Sequence, residues 1–143
     1  MNFSLSDDEK ALQETAKKFA REVMRPRAAH CDEKNEFPKE IIEQAWQLGL
    51  LNMTIAPEYG GVGLTHTAQA LVCEELAWGC SGMTTSIIAN DLALLPIEIG
   101  GTPEQKERFL RPFTEKFMLA SFALTEPGAG SDVVQLLYSV HPE

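Results

Sequence analysis

Residues 122–132, FALTEPGAGSD, form an apolar segment that runs directly into a glycine-rich polar turn. Gly128 and Gly130 permit backbone conformations that other residues resist, and they let a ligand approach the main chain closely. Successive exposed N–H groups in such a turn form a concave site for anionic oxygens. The hydroxyls of Thr125 and Ser131 can donate or accept further hydrogen bonds. This pattern predicts an anion- or cofactor-binding loop, with a plain surface turn as the alternative.

The residues before this loop change from one periodicity to another. Residues 117–124 are apolar, unbroken and without helix caps, which predicts a buried strand. Upstream of them the apolar residues recur at helical spacing. Two capping boxes, Ser6 with Glu9 and Thr102 with Gln105, mark helix starts. The pattern predicts an all-α domain with one strand beginning at its end.

Proline and glycine positions predict where the first helices end. The helix that begins after Ser6 is expected to stop before Pro26, because the residue preceding a proline disfavours the helical conformation. A short helical piece is expected to follow at about 27–33. The next helix starts near Pro38 and is expected to end at Gly49 in the left-handed conformation.

The segment GCSG, residues 79–82, is predicted to separate two further helices. The first would span about 67–78 and the second about 83–99. The second is apolar on most sides, which predicts a buried central helix. The pair Gly100 and Gly101 should close it.

Composition and charge exclude several classes of function. A chain of 143 residues with 44% hydrophobic and 23% charged residues is typical of one soluble globular domain. A net charge of −9 argues against nucleic-acid binding, because phosphate contacts need clustered Lys and Arg. Without a transmembrane run or a visible targeting segment, we expect no membrane partner and a cytoplasmic or mature mitochondrial-matrix location. One basic group near the first helix is expected to be a solvated face, with an anion-binding patch as the alternative: Lys17, Lys18, Arg21, Arg25 and Arg27.

Side chains that commonly carry chemistry are scattered. His30, His66 and His141 have no second ligand at a suitable spacing, so no metal site is expected. Three cysteines without a CxxC motif predict neither a disulfide framework nor a zinc site. Glu98 lies in apolar surroundings of the kind that favour a general base. The preferred alternative is a carboxylate at a helix end that faces solvent.

Five motifs together resemble the acyl-CoA dehydrogenase family, most closely its medium- and short-chain members. ALTEPGAGSD at 123–132 is similar to the N-terminal signature of that family. Four motifs precede it in the same order and spacing, so that the resemblance covers residues 1 to about 133. They are SDDEKALQETAKKFAREVMRPRAA (6–29), FPKEIIEQAWQLGLLNMTIAPEYGGVGL (37–64), EELAWGCSGM (74–83) and GGTPEQKERFLRPF (100–113).

The resemblance implies a domain organisation, a reaction and partners. It implies an N-terminal helical domain at 1–117 and the first strand of a truncated middle β-domain at 118–143. Members of the family oxidise an acyl-CoA to the 2,3-enoyl-CoA with FAD, pass electrons to an electron-transferring flavoprotein, and are usually homotetramers. FAD-binding positions carried over by the signature are Phe122, Ala123, Leu124, Thr125, Gly130 and Ser131.

The resemblance also implies particular roles for individual residues. Thr125 would hydrogen-bond near the reactive edge of the flavin, beside the backbone of Leu124. Ser131 would contact both the FAD pyrophosphate and the acyl-CoA. Thr84, Ile88 and Leu92 match positions that line the acyl pocket of the family. Their pattern in this sequence is equally that of ordinary core residues.

The chain departs from the family pattern after Asp132. It continues VVQLLYSVHPE, whereas the family has a small residue at the position of Gln135. The catalytic glutamate of the family is expected to be missing, since neither Glu98 nor Glu126 matches its position. The resemblance therefore implies a truncated enzyme without an assigned catalytic residue, inactive by itself. Two alternatives stay open: a helical interaction module that docks onto full-length subunits through an unpaired strand edge, or a non-functional gene product.

Overall fold

The computed structural model describes residues 4–133, and this part of the chain contains five α-helices. A strand ladder is absent from these residues, which confirms the all-α prediction. The predictions for Gln135 and His141 lie outside them. The helices are α1 (Asp7–Phe19), α2 (Arg25–Lys34), α3 (Lys39–Gln47), α4 (His66–Gly100) and α5 (Pro103–Glu115), with a π-helical turn (Ala20–Met24) after α1 and a 3₁₀ turn (Pro57–Tyr59) before α4.

Side-chain caps begin the helices as the sequence predicts. At α1 the Glu9 N–H donates to the Ser6 hydroxyl at 3.2 Å, and the Ser6 N–H donates back to the Glu9 carboxylate at 2.8 Å. Thr102 and Gln105 form the same reciprocal pair at α5. These bonds satisfy donors that have no partner within the helix. Gly49 follows α3 with a φ of +70°, so its predicted left-handed conformation is confirmed.

Two hydrophobic cores lie against α4. The main core forms where α1, α2, α3 and residues 50–53 pack on the first two thirds of α4. The second core is smaller and is built around Ile55, Leu94 and Leu110, beneath α5. Burial of these apolar groups is the main source of stability for a domain of this size.

The prediction that the first helix ends before Pro26 is wrong. The chain stays helical through the π-helical turn and into α2, and Arg25 has helical φ and ψ angles. The Arg25 N–H bonds to the Ala20 carbonyl, five residues back, which is the pattern of a π-turn. This wider turn precedes Pro26, whose ring in a regular helix would clash with the carbonyl four residues before it. The extra residue therefore accommodates the proline.

The predicted break at 79–82 is a kink within one long helix. Only Cys80 leaves the helical conformation inside α4, with φ −166° and ψ 113°. Gly79 lies directly against the π-helical turn: a Cβ at this position would stand 2.9 Å from the Ala20 Cβ and 3.0 Å from its carbonyl oxygen. The missing side chain allows α4 to cross the first helical segment at close range. The helix then resumes, because one irregular residue does not prevent the next turn from forming.

Two predictions of burial fail in the C-terminal part of the domain. The second half of α4 is not buried on most sides, since Leu92 is 51% and Ile99 is 77% exposed. Residues 117–124 belong to no helix or strand, and Leu119 and Phe122 are exposed. Within 4–133 no sheet is available to cover them. Whether this segment is a strand, and where the second domain begins, stay predictions.

We predict that Gly79→Ala destabilises the domain. The new methyl group would overlap Ala20, and overpacking of this kind costs roughly 1–3 kcal/mol. Gly100→Ala is the matched control, because a Cβ there meets no atom within 4 Å; its effect should stay within about 0.5 kcal/mol. Urea unfolding of both variants measures the difference. Equal free energies of unfolding would contradict the close crossing.

Candidate functional site

The glycine-rich loop closes on itself as a tight turn. The Glu126 N–H donates to the Ala129 carbonyl at 3.0 Å, and the Ala129 N–H donates back to the Glu126 carbonyl at 3.1 Å. Phe122, Ala123 and Thr125 are exposed on the segment that enters the turn. The main-chain groups of 122–125 make no hydrogen bond to any other residue of 4–133. This stretch therefore presents a row of available donors and acceptors.

Conformational freedom, one of the two reasons expected for the glycines of the loop, is not used. Gly128 and Gly130 do not have a positive φ, so the turn does not need their conformational freedom. A Cβ at either position would meet nothing within 4 Å, so packing inside the described part of the domain does not require glycine either. Gly130 and Ser131 are both exposed. Close approach by a group outside residues 4–133 is the remaining physical reason for glycine here.

The three residues expected to line an acyl pocket follow one another at a four-residue spacing on α4. Thr84 is buried, and its hydroxyl donates to the Cys80 carbonyl at 2.9 Å. Ile88 and Leu92 are exposed apolar side chains, one and two turns further along. The three therefore lie on one side of the helix. Along this side the first residue is buried and the other two are exposed to solvent.

A pair of acidic residues on α4 shares one partner in the loop before the helix. The Thr54 main-chain N–H and hydroxyl both lie 3.1 Å from Asp91 Oδ1, and the same hydroxyl lies 2.5 Å from Glu98 Oε1. The other oxygen of Asp91, Oδ2, is buried without a hydrogen-bond partner among residues 4–133. Burial raises the pKa of Asp91, the two Thr54 hydrogen bonds oppose this, and the nearby Glu98 raises it further.

This arrangement corrects the prediction for Glu98. Its carboxylate does not simply face solvent from a helix end, because it accepts a hydrogen bond from Thr54. It lines a small cleft of about 160 Å³ together with Tyr59 and Lys106. Glu98 is therefore a structural link between α4 and the preceding loop.

The basic group near α1 has partners within the domain. Lys17 pairs with Glu14 at 3.7 Å, and Arg27 lies 3.9 Å from Glu36. Two other members of the group, Arg21 and Arg25, stack over the ring of Trp78 at 5.2 and 5.3 Å.

Sequence reasoning missed the residue that holds the loop segment in place. Asn90 is buried on α4 and bonds to the main chain at Met118 and Ala120, just before the signature. A signal was present, because Asn90 and Asp91 are the polar residues inside the apolar run IIANDLALLP. Over residues 4–133 the structure contains no cluster of three metal-ligating side chains and no helix suited to crossing a membrane.

Comparison with known proteins agrees with this architecture. Residues 6–116 match the family model of the acyl-CoA dehydrogenase N-terminal domain. A probable medium-chain specific acyl-CoA dehydrogenase 2, mitochondrial, of Caenorhabditis briggsae is 44% identical over 133 residues, which are 93% of this chain and 33% of the relative. The chain therefore belongs to the acyl-CoA dehydrogenase family, and it spans about a third of the length of that relative.

Solved structures show the same likeness. A chain from the electron transferring flavoprotein study of Acidaminococcus fermentans has a TM-score of 0.86 and 32% identity, covering 94% of this chain and 36% of that chain. The acyl-CoA dehydrogenase complexed with FAD from Bacillus anthracis has a TM-score of 0.82 and 32% identity, covering 93% and 23%. The helical domain described above is thus similar to one part of larger proteins.

We predict that Asp91→Asn stabilises the domain at high pH. The raised pKa means that folding favours protonated Asp91, so its contribution to stability is fully present below its unfolded pKa of about 3.9 and is lost as pH rises through the folded pKa. The neutral amide keeps the acceptor for Thr54 and cannot ionise. Urea unfolding should show an advantage over the wild type that grows from pH 4.5 to pH 8.

The exposed carboxylate Asp32 on α2 provides the control. Asp32→Asn should change stability little, and equally at both pH values. If the advantage of Asp91→Asn were constant across this range, the buried carboxylate would not be the cause.

Proposed function

We propose that residues 4–133 form one wall of the flavin and substrate site of an acyl-CoA dehydrogenase. The reaction proposed is that of the family, the oxidation of an acyl-CoA thioester to its 2,3-enoyl-CoA. The observation that carries the proposal is the stretch 122–125 that enters the turn, whose main-chain groups make no hydrogen bond to other residues of 4–133, together with the exposed side chains of Thr125 and Ser131. Such a surface fits a long polar cofactor that lies along it.

The residues of this segment have separate roles toward FAD. The Thr125 hydroxyl and the Leu124 main chain would hydrogen-bond to the ring system, with Phe122 and Ala123 leading into that contact. Gly130 and Ser131 would hold the pyrophosphate, because a side-chain-free residue and a hydroxyl allow phosphate oxygens to come close. When bound, FAD supplies the acceptor for the hydride that leaves the substrate.

Substrate binding would use α4 and the end of the loop. The exposed side chains of Ile88 and Leu92 would contact the acyl chain, and Thr84 would support them from the buried end. Ser131 would also contact the acyl-CoA. Removal of the α-proton requires a base held against the substrate. Neither Glu98 nor Glu126 matches the position of the family's catalytic glutamate, so we propose that the 143 residues alone do not turn over substrate.

The proposed partners and location follow the relatives. An electron-transferring flavoprotein would accept the electrons, and the complete enzyme would be a homo-oligomer. The mitochondrial matrix is a proposed location because the Caenorhabditis briggsae relative is described as mitochondrial; the bacterial cytoplasm is the other.

We predict that the chain binds FAD and that Thr125→Val weakens binding roughly three- to tenfold, the equivalent of one hydrogen bond. FAD fluorescence during titration with protein measures this affinity. Thr15→Val is the control, since Thr15 is an exposed threonine on α1 whose hydroxyl bonds to the Ala11 carbonyl. Addition of an acyl-CoA and a redox dye should give no reduction. Absence of flavin binding would contradict the assignment of the loop to FAD. Reduction of the dye would contradict the proposal that the chain lacks a catalytic base.

A second candidate function is a non-catalytic interaction module that docks onto full-length acyl-CoA dehydrogenase subunits. The exposed apolar side chains of Leu92, Ile99 and Leu119 favour it, because such groups are normally covered by another surface.

This candidate predicts a complex when the chain is mixed with a full-length acyl-CoA dehydrogenase, detectable by analytical ultracentrifugation. Leu92→Lys should abolish the complex, because a buried lysine in an apolar interface is strongly unfavourable. Leu48→Lys is matched to it, since Leu48 is similarly exposed but lies at the end of α3. A mixture that sediments as two separate species would exclude the module.

A further inference from the structure

The side chain of Asn90 is almost fully buried, at 1% exposure, and its amide is fully used. The Nδ2 group donates to the Met118 carbonyl and to Asn52 Oδ1, both at 2.9 Å. The Oδ1 atom accepts the Ala120 N–H at 2.8 Å. Both amide hydrogens and the carbonyl oxygen thus have partners.

Two of these bonds reproduce the pairing between neighbouring strands. The Met118 carbonyl and the Ala120 N–H flank Leu119, and both bond to the same side chain. In a parallel ladder, one residue of the next strand bonds to both such groups through its own N–H and C=O. The carboxamide of Asn90 provides the same donor and acceptor from a helix. Asn90 therefore pairs with the main chain of the segment 117–124 at one defined position, Leu119.

Asn52 orients the Asn90 amide. Its Oδ1 accepts from Asn90, while its own Nδ2 donates to the Phe113 carbonyl at 3.0 Å. The indole of Trp46 donates to that same carbonyl at 2.9 Å. The network links α3, the loop after it, α4 and the end of α5 to the segment 117–124. A buried network in which each member is satisfied is rigid and permits one arrangement.

We propose that Asn90, oriented by Asn52, is the positioning residue that sets the register of residues 117–124 and thereby the position of Thr125 and Ser131. In the strand predicted for this segment, a slip by one residue would move the chain by about 3.3 Å and turn each side chain to the opposite face. Such a shift is larger than the tolerance of a hydrogen bond from Thr125. The part of this inference that concerns FAD rests on the proposed function.

The experiment compares variants of the 143-residue chain by hydrogen exchange and by FAD titration. Asn90→Leu keeps the volume and removes all three bonds, so the Ala120 amide should exchange on the order of tenfold faster relative to the amides of α1. FAD affinity should fall by a similar factor. Asn52→Asp keeps the acceptor for Asn90 and should retain more of both properties than Asn90→Leu.

A core variant separates positioning from general stability. Ile42→Val shortens a buried apolar side chain on α3 and removes none of the network's hydrogen bonds. This variant should lower the free energy of unfolding without selectively speeding hydrogen exchange at the Ala120 amide and without weakening FAD binding. Unchanged exchange at Ala120 in Asn90→Leu would overturn the register claim. Loss of FAD affinity in Ile42→Val equal to that in Asn90→Leu would overturn the positioning claim.

The two proposals fail in different ways. A wild-type chain that binds no FAD would overturn the flavin assignment of the loop, and hydrogen exchange at Ala120 would still decide the register claim. A wild-type chain that binds FAD, together with normal affinity in Asn90→Leu, would overturn positioning and leave the flavin assignment intact.

Discussion

Both hydrophobic cores pack against the same helix, and this shared use of α4 constrains the rest of the domain. Val72, Leu76 and Ile87 face the main core, whereas Leu94 belongs to the smaller one. Asn90 lies between these two sets along the helix. The main-chain groups that reach α4 at this point cannot be satisfied by apolar residues, so the junction between the cores needs a polar side chain.

Local signals predicted the parts of the fold that depend on local physics. The capping boxes at Ser6 and Thr102, and the left-handed Gly49, each involve residues a few positions apart, and all three are confirmed. The predicted helix breaks before Pro26 and at 79–82 are wrong. A π-helical turn accommodates the proline in the first case, and in the second only Cys80 leaves the helical conformation before α4 resumes.

Less of the candidate site than of the fold could be predicted from local sequence patterns. The residues of the signature were assigned by resemblance, and the pattern of the turn alone indicated no more than a ligand loop. Of the two reasons expected for its glycines, conformational freedom is not used, and close approach by a ligand stays a prediction. Asn90 was missed because its partners Asn52 and Ala120 are 38 and 30 residues away, so no local pattern identifies them.

Asn90 and its neighbour Asp91 on α4 differ in how their polar side-chain atoms are satisfied. Asn90 has partners for its whole amide and holds the segment that leads to the signature. Asp91 faces Thr54, whose single hydroxyl proton can be donated to either Asp91 or Glu98 but not to both. Burial raises the pKa of Asp91 and favours its protonated form, although the hydrogen bonds from Thr54 oppose this. A neutral amide thus holds the segment without a charge, whereas the stability that Asp91 contributes changes with pH.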